Sequence, residues 1–231
     1  KIKLNVLDYA ILTKMLHFGI DPIPPILRAG GDVFIDIGCH IGYYTLLSSS
    51  YFKKIYAIDA SAFRVEGCKE NVKALGISKK AEIFNMALGS YNCPSKVSLY
   101  ENPYNSGGSF TSKDNEIKNN WFREEVKCTN LDALIFENIS KINDIKRIVL
   151  KIDVEGNELN VLEGSKKIIK KFLPIIVIEA RPNLSIYKKI YSHLPNSYQI
   201  FDASEFLLGM PNKSLDTDLV CVPRISKDQL F

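Results

Sequence analysis

The sequence predicts an α/β domain on a doubly wound, mostly parallel seven-stranded sheet with an N-terminal helical cap. Three observations point there. Short β-branched apolar runs alternate with helical patterns from residue 33 onward. The first run ends in an acid and opens through two glycines into a helix. The later runs each end in a polar or acidic cluster, as strands do when one sheet edge holds a ligand.

The elements follow in order. Leu4, Leu7, Ile11, Met15 and Phe18 form one helical stripe, and the proline-rich stretch 21–25 is expected to end it. Residues 1–30 therefore read as a helical cap, and 31–231 as the main domain. Strands are expected at 33–37, 55–59, 81–87, 147–153 and 174–180, with helices at 43–51, 62–75, 157–171 and 184–193. Gly76 serves as the stop for the second of these helices. Residues 198–202 and 218–223 are expected to close the sheet as an antiparallel edge hairpin. The stretch 88–130 breaks the rhythm, with short strand candidates only at 96–100 and 126–129. Such a long irregular insertion is usually functional and is expected to face a substrate.

Composition narrows the classes. The chain has 231 residues, 46% hydrophobic and 24% charged, enough for one substantial domain. Its net charge of +4 is spread over short lysine clusters at helical spacing, which argues against a nucleic-acid partner. The longest apolar runs fall far short of a membrane span, and the opening residues show no signal-peptide pattern. Five cysteines without a C-x-x-C pair point to a reducing, cytoplasmic setting. The apolar stripe of the N-terminal helix offers a surface to a homodimer.

The strand ends supply the candidate site. Asp36, Gly38, His40 and Gly42 lie on the first, in a D-x-G-x-x-x-G turn. This differs from the G-x-G-x-x-G that admits a pyrophosphate. A nucleoside carrying an amine, S-adenosylmethionine (SAM), is the expected guest. Asp59 ends the second strand, where an acid accepts from both ribose hydroxyls. Met86 and Ala87 end the third and suit an adenine slot. The fourth ends in Asp153-Val154-Glu155-Gly156 and the fifth in Glu179. Each residue alone has an ordinary structural role, as an N-cap, a turn glycine or a pairing lysine at Lys151. Their recurrence along one sheet edge is what carries the signal.

The strings Phe34-Ile35-Asp36-Ile37-Gly38-Cys39-His40-Ile41-Gly42, Ser106-Gly107-Gly108-Ser109 and Leu150-Lys151-Ile152-Asp153-Val154-Glu155-Gly156-Asn157-Glu158 resemble the FkbM-type SAM-dependent methyltransferases. Pro174-Ile175-Ile176-Val177-Ile178-Glu179 resembles that family's fifth strand. The resemblance spans roughly residues 20–222. It implies a class I, Rossmann-like methyltransferase sheet, SAM as donor and O-methylation of a sugar or glycan hydroxyl. It also implies a role for Asp21 at the cofactor, and places Asp59 and Ser61 where relatives carry glutamate and proline. Relatives usually carry alanine-asparagine at Cys39-His40.

Methyl transfer needs alignment in a dry site and a base or metal to activate a hydroxyl. Asp153 and Glu155 are the first choice of base and His40 the second. Asp153 with Glu179 is a candidate pair for Mg²⁺. Tyr100, Tyr104, Trp121 and Phe122 are candidates to stack on sugar rings. Two other classes compete: a non-catalytic SAM-fold module in a glycan-assembly protein, and a nicotinamide-dependent oxidoreductase.

Overall fold

The computed structural model describes residues 23–101, 110–112, 121–142, 144–179, 184–203 and 218–224. In chain order its first strands are β1 (Gly31–Ile37), β2 (Phe52–Asp59), β3 (Ala81–Asn85), β4 (Ala87–Leu88), β5 (Lys96–Glu101) and β6 (Phe110–Ser112). They are followed by β7 (Phe122–Thr129), β8 (Ile148–Ile152), β9 (Ile175–Glu179), β10 (Tyr198–Asp202) and β11 (Asp218–Pro223). The first helices are α1 (Ile23–Arg28), α2 (Tyr43–Ser48), α3 (Ala62–Ala74) and α4 (Leu131–Ser140). The last are α5 (Glu158–Glu163), α6 (Lys166–Phe172) and α7 (Leu184–His193).

Seven strands form the main sheet in the order β10-β11-β9-β8-β1-β2-β3. The run from β3 to β9 is parallel, and β11 lies antiparallel between β9 and β10. The closing hairpin is therefore present, with its second strand placed inside its first. From β1 the chain winds outward through β2 and β3, then returns to β8 on the other flank. That reversal makes β1/β8 the topological switch point, where the strand ends part and leave a crevice.

Side-chain alternation sorts the strands onto two faces. Val33, Ile35, Ile37, Ile148, Leu150 and Ile152 pack with α4, α5 and α6 on one face. Phe34, Ile55, Val149 and Val177 pack with Ile23, Leu27, Tyr44, Cys68 and Val72 on the other. Both faces are apolar, which is why β1 and β8 read as near-continuous hydrophobic runs. Asp36 and Lys151 share the parity of Phe34 and Val149. They are therefore thrust into the second face at its carboxyl edge, as direct cross-strand neighbours.

Several local expectations are corrected. Pro24 and Pro25 occupy the first turn of α1, where a missing N–H costs no bond, so the stretch expected only to end a helix also opens one. The strand expected over 81–87 divides after Asn85, and Ala87–Leu88 pairs instead with β7 in a second sheet, β4-β7-β5-β6. The insertion is thus less irregular than its composition suggests, because β5 pairs antiparallel with both β6 and β7. The helix expected over 157–171 divides at Gly164. A Cβ there would lie 2.1 Å from the Gly89 carbonyl oxygen, so a passing loop ends α5. Buried Asp132 then opens α6, accepting from the Lys167 and Ile168 amides at 2.7 and 3.0 Å. The sequence reading missed α4 altogether. The stripe 4–18 lies outside the described residues.

Asp32 at the start of β1 ties three strands together. Its carboxylate accepts from the backbone amides of Lys146 and Arg147 at 2.7 and 3.1 Å, and Lys53 Nζ lies 2.7 Å away. Burial would raise its pKa, but Lys53 and the two amides outweigh burial and hold it below the ordinary value. An acid of lowered pKa stabilises the fold above its unfolded pKa and loses that effect as pH falls through the native one. Asp32→Ala is expected to cost about 1–3 kcal/mol at neutral pH. Urea unfolding at pH 7 and at pH 3 should show the gap between wild type and variant narrowing in acid.

Candidate functional site

The turn after β1 needs backbone shapes that few residues adopt. Gly38, His40 and Gly42 have φ of 78°, 54° and 92°. Gly38 has no alternative residue, because a Cβ would sit 1.7 Å from the Asp153 carbonyl oxygen. A Cβ on Gly42 would lie 2.8 Å from Cys68 Sγ. His40 carries a side chain in the left-handed region at some cost in strain. Its amide donates to Asp59 Oδ2 at 2.9 Å, and the Ser61 amide donates to Oδ1 at 2.9 Å. Asp59 thus locks the first strand's turn to the second's, with carboxylate lone pairs still available to a ligand. Ser61 caps α3, its hydroxyl accepting from the Arg64 amide.

Beneath the turn, Asp36 is fully buried. Thr45 Oγ1 donates to its Oδ2 at 2.7 Å, while Oδ1 has no hydrogen-bond partner among the described residues. Burial raises its pKa, against the opposing pull of Lys151 and Thr45. Lys151 is only 2% exposed. Its Nζ donates to Asp153 Oδ2 at 2.8 Å and lies 4.8 Å from the centre of the Tyr44 ring. Burial alone would pull the ammonium's pKa down, but Asp153 and Asp36 outweigh burial and hold it above the ordinary lysine value.

The end of β8 is the other wall. The Asp153 amide donates to the Ile37 carbonyl at 3.0 Å, extending the β1/β8 pairing to the mouth of the crevice. Glu155 and Gly156 then turn the chain with φ of 51° and 93°. Asn157 anchors the loop by donating to the Leu88 carbonyl at 2.8 Å. Asp153, Glu155 and Glu179 each bring a carboxylate oxygen within 4.8 Å of the others. Burial and the nearby Asp153 carboxylate, which also hydrogen-bonds it, push the Glu179 pKa up to about 9. At neutral pH Glu179 therefore keeps its proton, and its carboxyl O–H donates a hydrogen bond to Asp153.

The geometry brings together Asp36, Gly38, His40, Gly42, Asp59 and Ser61 around the first two strand ends, and Asp153, Glu155 and Glu179 around the next two. The two groups touch where Gly38 meets the Asp153 carbonyl. Met86 and Ala87 follow Asn85 at the Asp59 end, and the Met86 amide donates to the Asp59 carbonyl at 2.9 Å. Asp21 and Tyr104 lie outside the described residues. Of the other candidate stacking aromatics, Tyr100 is buried and Trp121 half-buried, while Phe122 is 69% exposed. Sequence reading assigned no ligand role to Lys151, Thr45 or Tyr44. Its signal for Lys151 was a lone charge inside an otherwise apolar strand.

The sequence matches the model of the methyltransferase FkbM domain over residues 36–199. Among solved structures, methyltransferase FkbM from Methylobacillus flagellatus superposes with a TM-score of 0.53 at 16% identity. That match covers 83% of this chain and 43% of the other, so the chain spans less than half of that protein's length. An O-methyltransferase from Bacillus cereus in complex with SAH gives 0.49 at 11% identity, covering 96% and 92% of the two chains. An rRNA methylase from Streptococcus thermophilus gives 0.46 at 13% identity, covering 91% and 96%. The Methylobacillus likeness supports the fold. No curated protein matches the sequence.

Glu179 makes stability depend on pH in a definite direction. Its native pKa lies above the unfolded one, so its contribution is complete below about 4.5 and declines as pH rises toward about 9. Glu179→Gln removes the titration. In buffer containing a chelator, the melting temperature of the variant relative to wild type is expected to rise steadily from pH 6 to pH 9.

Proposed function

The chain belongs to the FkbM methyltransferase family and has the class I methyltransferase fold, and from that premise we propose that it transfers a methyl group from SAM to a hydroxyl of a sugar or glycan. One observation supports the reading above the others. The glycine turn and the acidic loop meet at the switch point, so a nucleoside cradle and proton-accepting groups share one crevice.

The residues fit the cofactor. Gly38 and Gly42 leave the turn open to a close ligand, and Asp59 is placed for a ribose. The unpartnered Asp36 Oδ1 lies under the turn, facing the need for a donor that a ligand amine or water meets. Met86 and Ala87 flank the adenine end, and Asp21 and Ser61 are assigned supporting roles by the family resemblance. SAM, when bound, supplies a methyl group on a sulfonium that leaves as a neutral thioether. Asp153 is the proposed base: it takes the hydroxyl proton as the oxygen–carbon bond forms. Glu155 stands beside it at the mouth, and His40, its amide committed to Asp59, is the second choice. Phe122 is an exposed aromatic available to an acceptor ring on the 88–130 insertion.

A second reading has its own observation. Three carboxylates within 4.8 Å suit a hard divalent cation, and Asp153, Glu155 and Glu179 would hold Mg²⁺ once Glu179 lost its proton. The metal would lower the pKa of the acceptor hydroxyl. The non-catalytic module and the oxidoreductase remain as competitors to be tested, and a cytoplasmic site of action without a nucleic-acid partner belongs to the same proposal.

Calorimetric titration with SAH and with NADH tests the cofactor, with binding of SAH alone expected. Radiolabel transfer from SAM to a panel of mono- and oligosaccharides tests the reaction. Asp153→Asn is expected to keep SAH binding and lose turnover by about 10²–10⁴-fold. Near-normal turnover in that variant would remove Asp153 as base. Activity that survives EDTA unchanged would remove the metal reading.

A further inference from the structure

Lys151 is a charge inside a strand that is otherwise Ile, Val, Leu and Ile, with every residue buried. Burying an ammonium costs several kcal/mol unless excellent partners repay it, and an apolar side chain of similar volume is often at least as stabilising. Methionine or leucine would complete this strand at no such cost. The side chain is also held along its length. Its head donates to Asp153 Oδ2 at 2.8 Å, and the Tyr44 ring lies 4.8 Å from the same nitrogen. Tyr44 belongs to the first turn of α2, two residues beyond Gly42 of the cradle. The next residue, Thr45, donates to Asp36, which is the cross-strand neighbour of Lys151. A continuous chain of contacts therefore runs from the cofactor turn through Tyr44 and Lys151 to Asp153.

We propose that Lys151 is a positioning residue that fixes the Asp153 carboxylate against the methyl-transfer point of the cofactor cradle. This rests on the methyltransferase reading and on Asp153 as the group beside the transferred methyl. One Asp153 oxygen is engaged by a head that cannot wander, because Tyr44 and the strand confine it. The carboxylate is thereby restricted in rotation and faces the crevice in one orientation. Asp153 is partly exposed and sits beside two other acids. Glu179 also hydrogen-bonds this carboxylate, so loss of the Lys151 ammonium would remove the hold on the side that faces Tyr44 and the cradle turn and shift the carboxylate toward Glu179.

Two probes separate this role from charge neutralisation. SAH ends in a neutral thioether. Sinefungin carries an amine where SAM carries its methyl group, so a correctly placed carboxylate should favour it. The ratio of their dissociation constants, measured by calorimetry on the full chain, reports where that carboxylate stands. Wild type is expected to prefer sinefungin by about tenfold or more, the size of a charge-assisted hydrogen bond. Asp153→Asn should lose the preference. Lys151→Met should bring the ratio to about one if Lys151 positions Asp153. If Lys151 only neutralises charge, its removal leaves the crevice more negative and the preference should rise, which would overturn the proposal.

Lys151→Met also leaves Asp36 buried without a cation. The double variant Asp36→Asn with Lys151→Met relieves that and keeps the ratio readable should the single variant fail to fold. Its ratio should likewise fall to about one, and a wild-type ratio in it would overturn the positioning role. A preference retained in Asp153→Asn would instead overturn the placement of Asp153. Absence of SAH binding to wild type would overturn the methyltransferase reading and, with it, the role of Lys151.

Discussion

The contact on which the site depends is the approach of the Gly38 α-carbon to the Asp153 carbonyl. It leaves no room for a single carbon atom between β1's turn and the end of β8. The approach follows from the sheet. β1 and β8 are parallel neighbours, and their pairing continues past the regular strands through the Asp153 amide to Ile37. Because Gly38 must turn away immediately in a left-handed conformation, the chain passes under the β2 edge, and its amide and that of Cys39 both donate to the Ile58 carbonyl. The remaining features are consequences. Asp59 captures the His40 amide, Gly42 crosses close over Cys68, and α2 begins where Thr45 can reach Asp36.

Strain and buried charge concentrate at this edge, and the apolar faces of the sheet have to offset them. His40 and Glu155 both adopt left-handed backbone shapes within the crevice. Asp36 and Asp59 are buried, as is Lys151. Around them, β1, β2, β8 and β9 bury side chains on both faces, and each Leu or Ile there is worth about 2–5 kcal/mol against truncation to alanine. The rigid strands thus support a costly set of turns at their ends, a division of labour that α/β folds make possible because the crevice lies outside the hydrogen-bonded sheet.

What could be read in advance follows the same division. The central strands were legible because burial on two faces demands uninterrupted apolar runs, and the cradle because close backbone approach demands glycine. Asp36, Asp59, Asp153 and Glu179 were visible as acids that interrupt such runs. Features that depend on distant chain were not legible. The break at Gly164 exists because the Gly89 carbonyl arrives there, and the departure of Ala87 from the main sheet exists because β7 offers it a partner. The omission of α4 is different. Leu131, Ile135 and Ile139 repeat at helical spacing behind Asn130, whose side chain accepts from the Ala133 amide. That signal was present, but it follows directly on an insertion whose irregular rhythm masked it.

The division of protons among the acids also has a physical origin. Three carboxylates within 4.8 Å cannot all be ionised at modest cost, so one of them must hold a proton near neutrality. Burial of Glu179 and the Asp153 carboxylate beside it leave the proton on Glu179. The Lys151 ammonium donates to Asp153, which favours negative charge there. On the proposed reading this is the useful assignment. An ionised acid beside the transfer point can accept a proton from a hydroxyl, while its protonated neighbour holds it by a second hydrogen bond. Exchanging the two roles would put the charge on Glu179, which burial disfavours, and leave a neutral acid at Asp153, whose carbonyl meets Gly38.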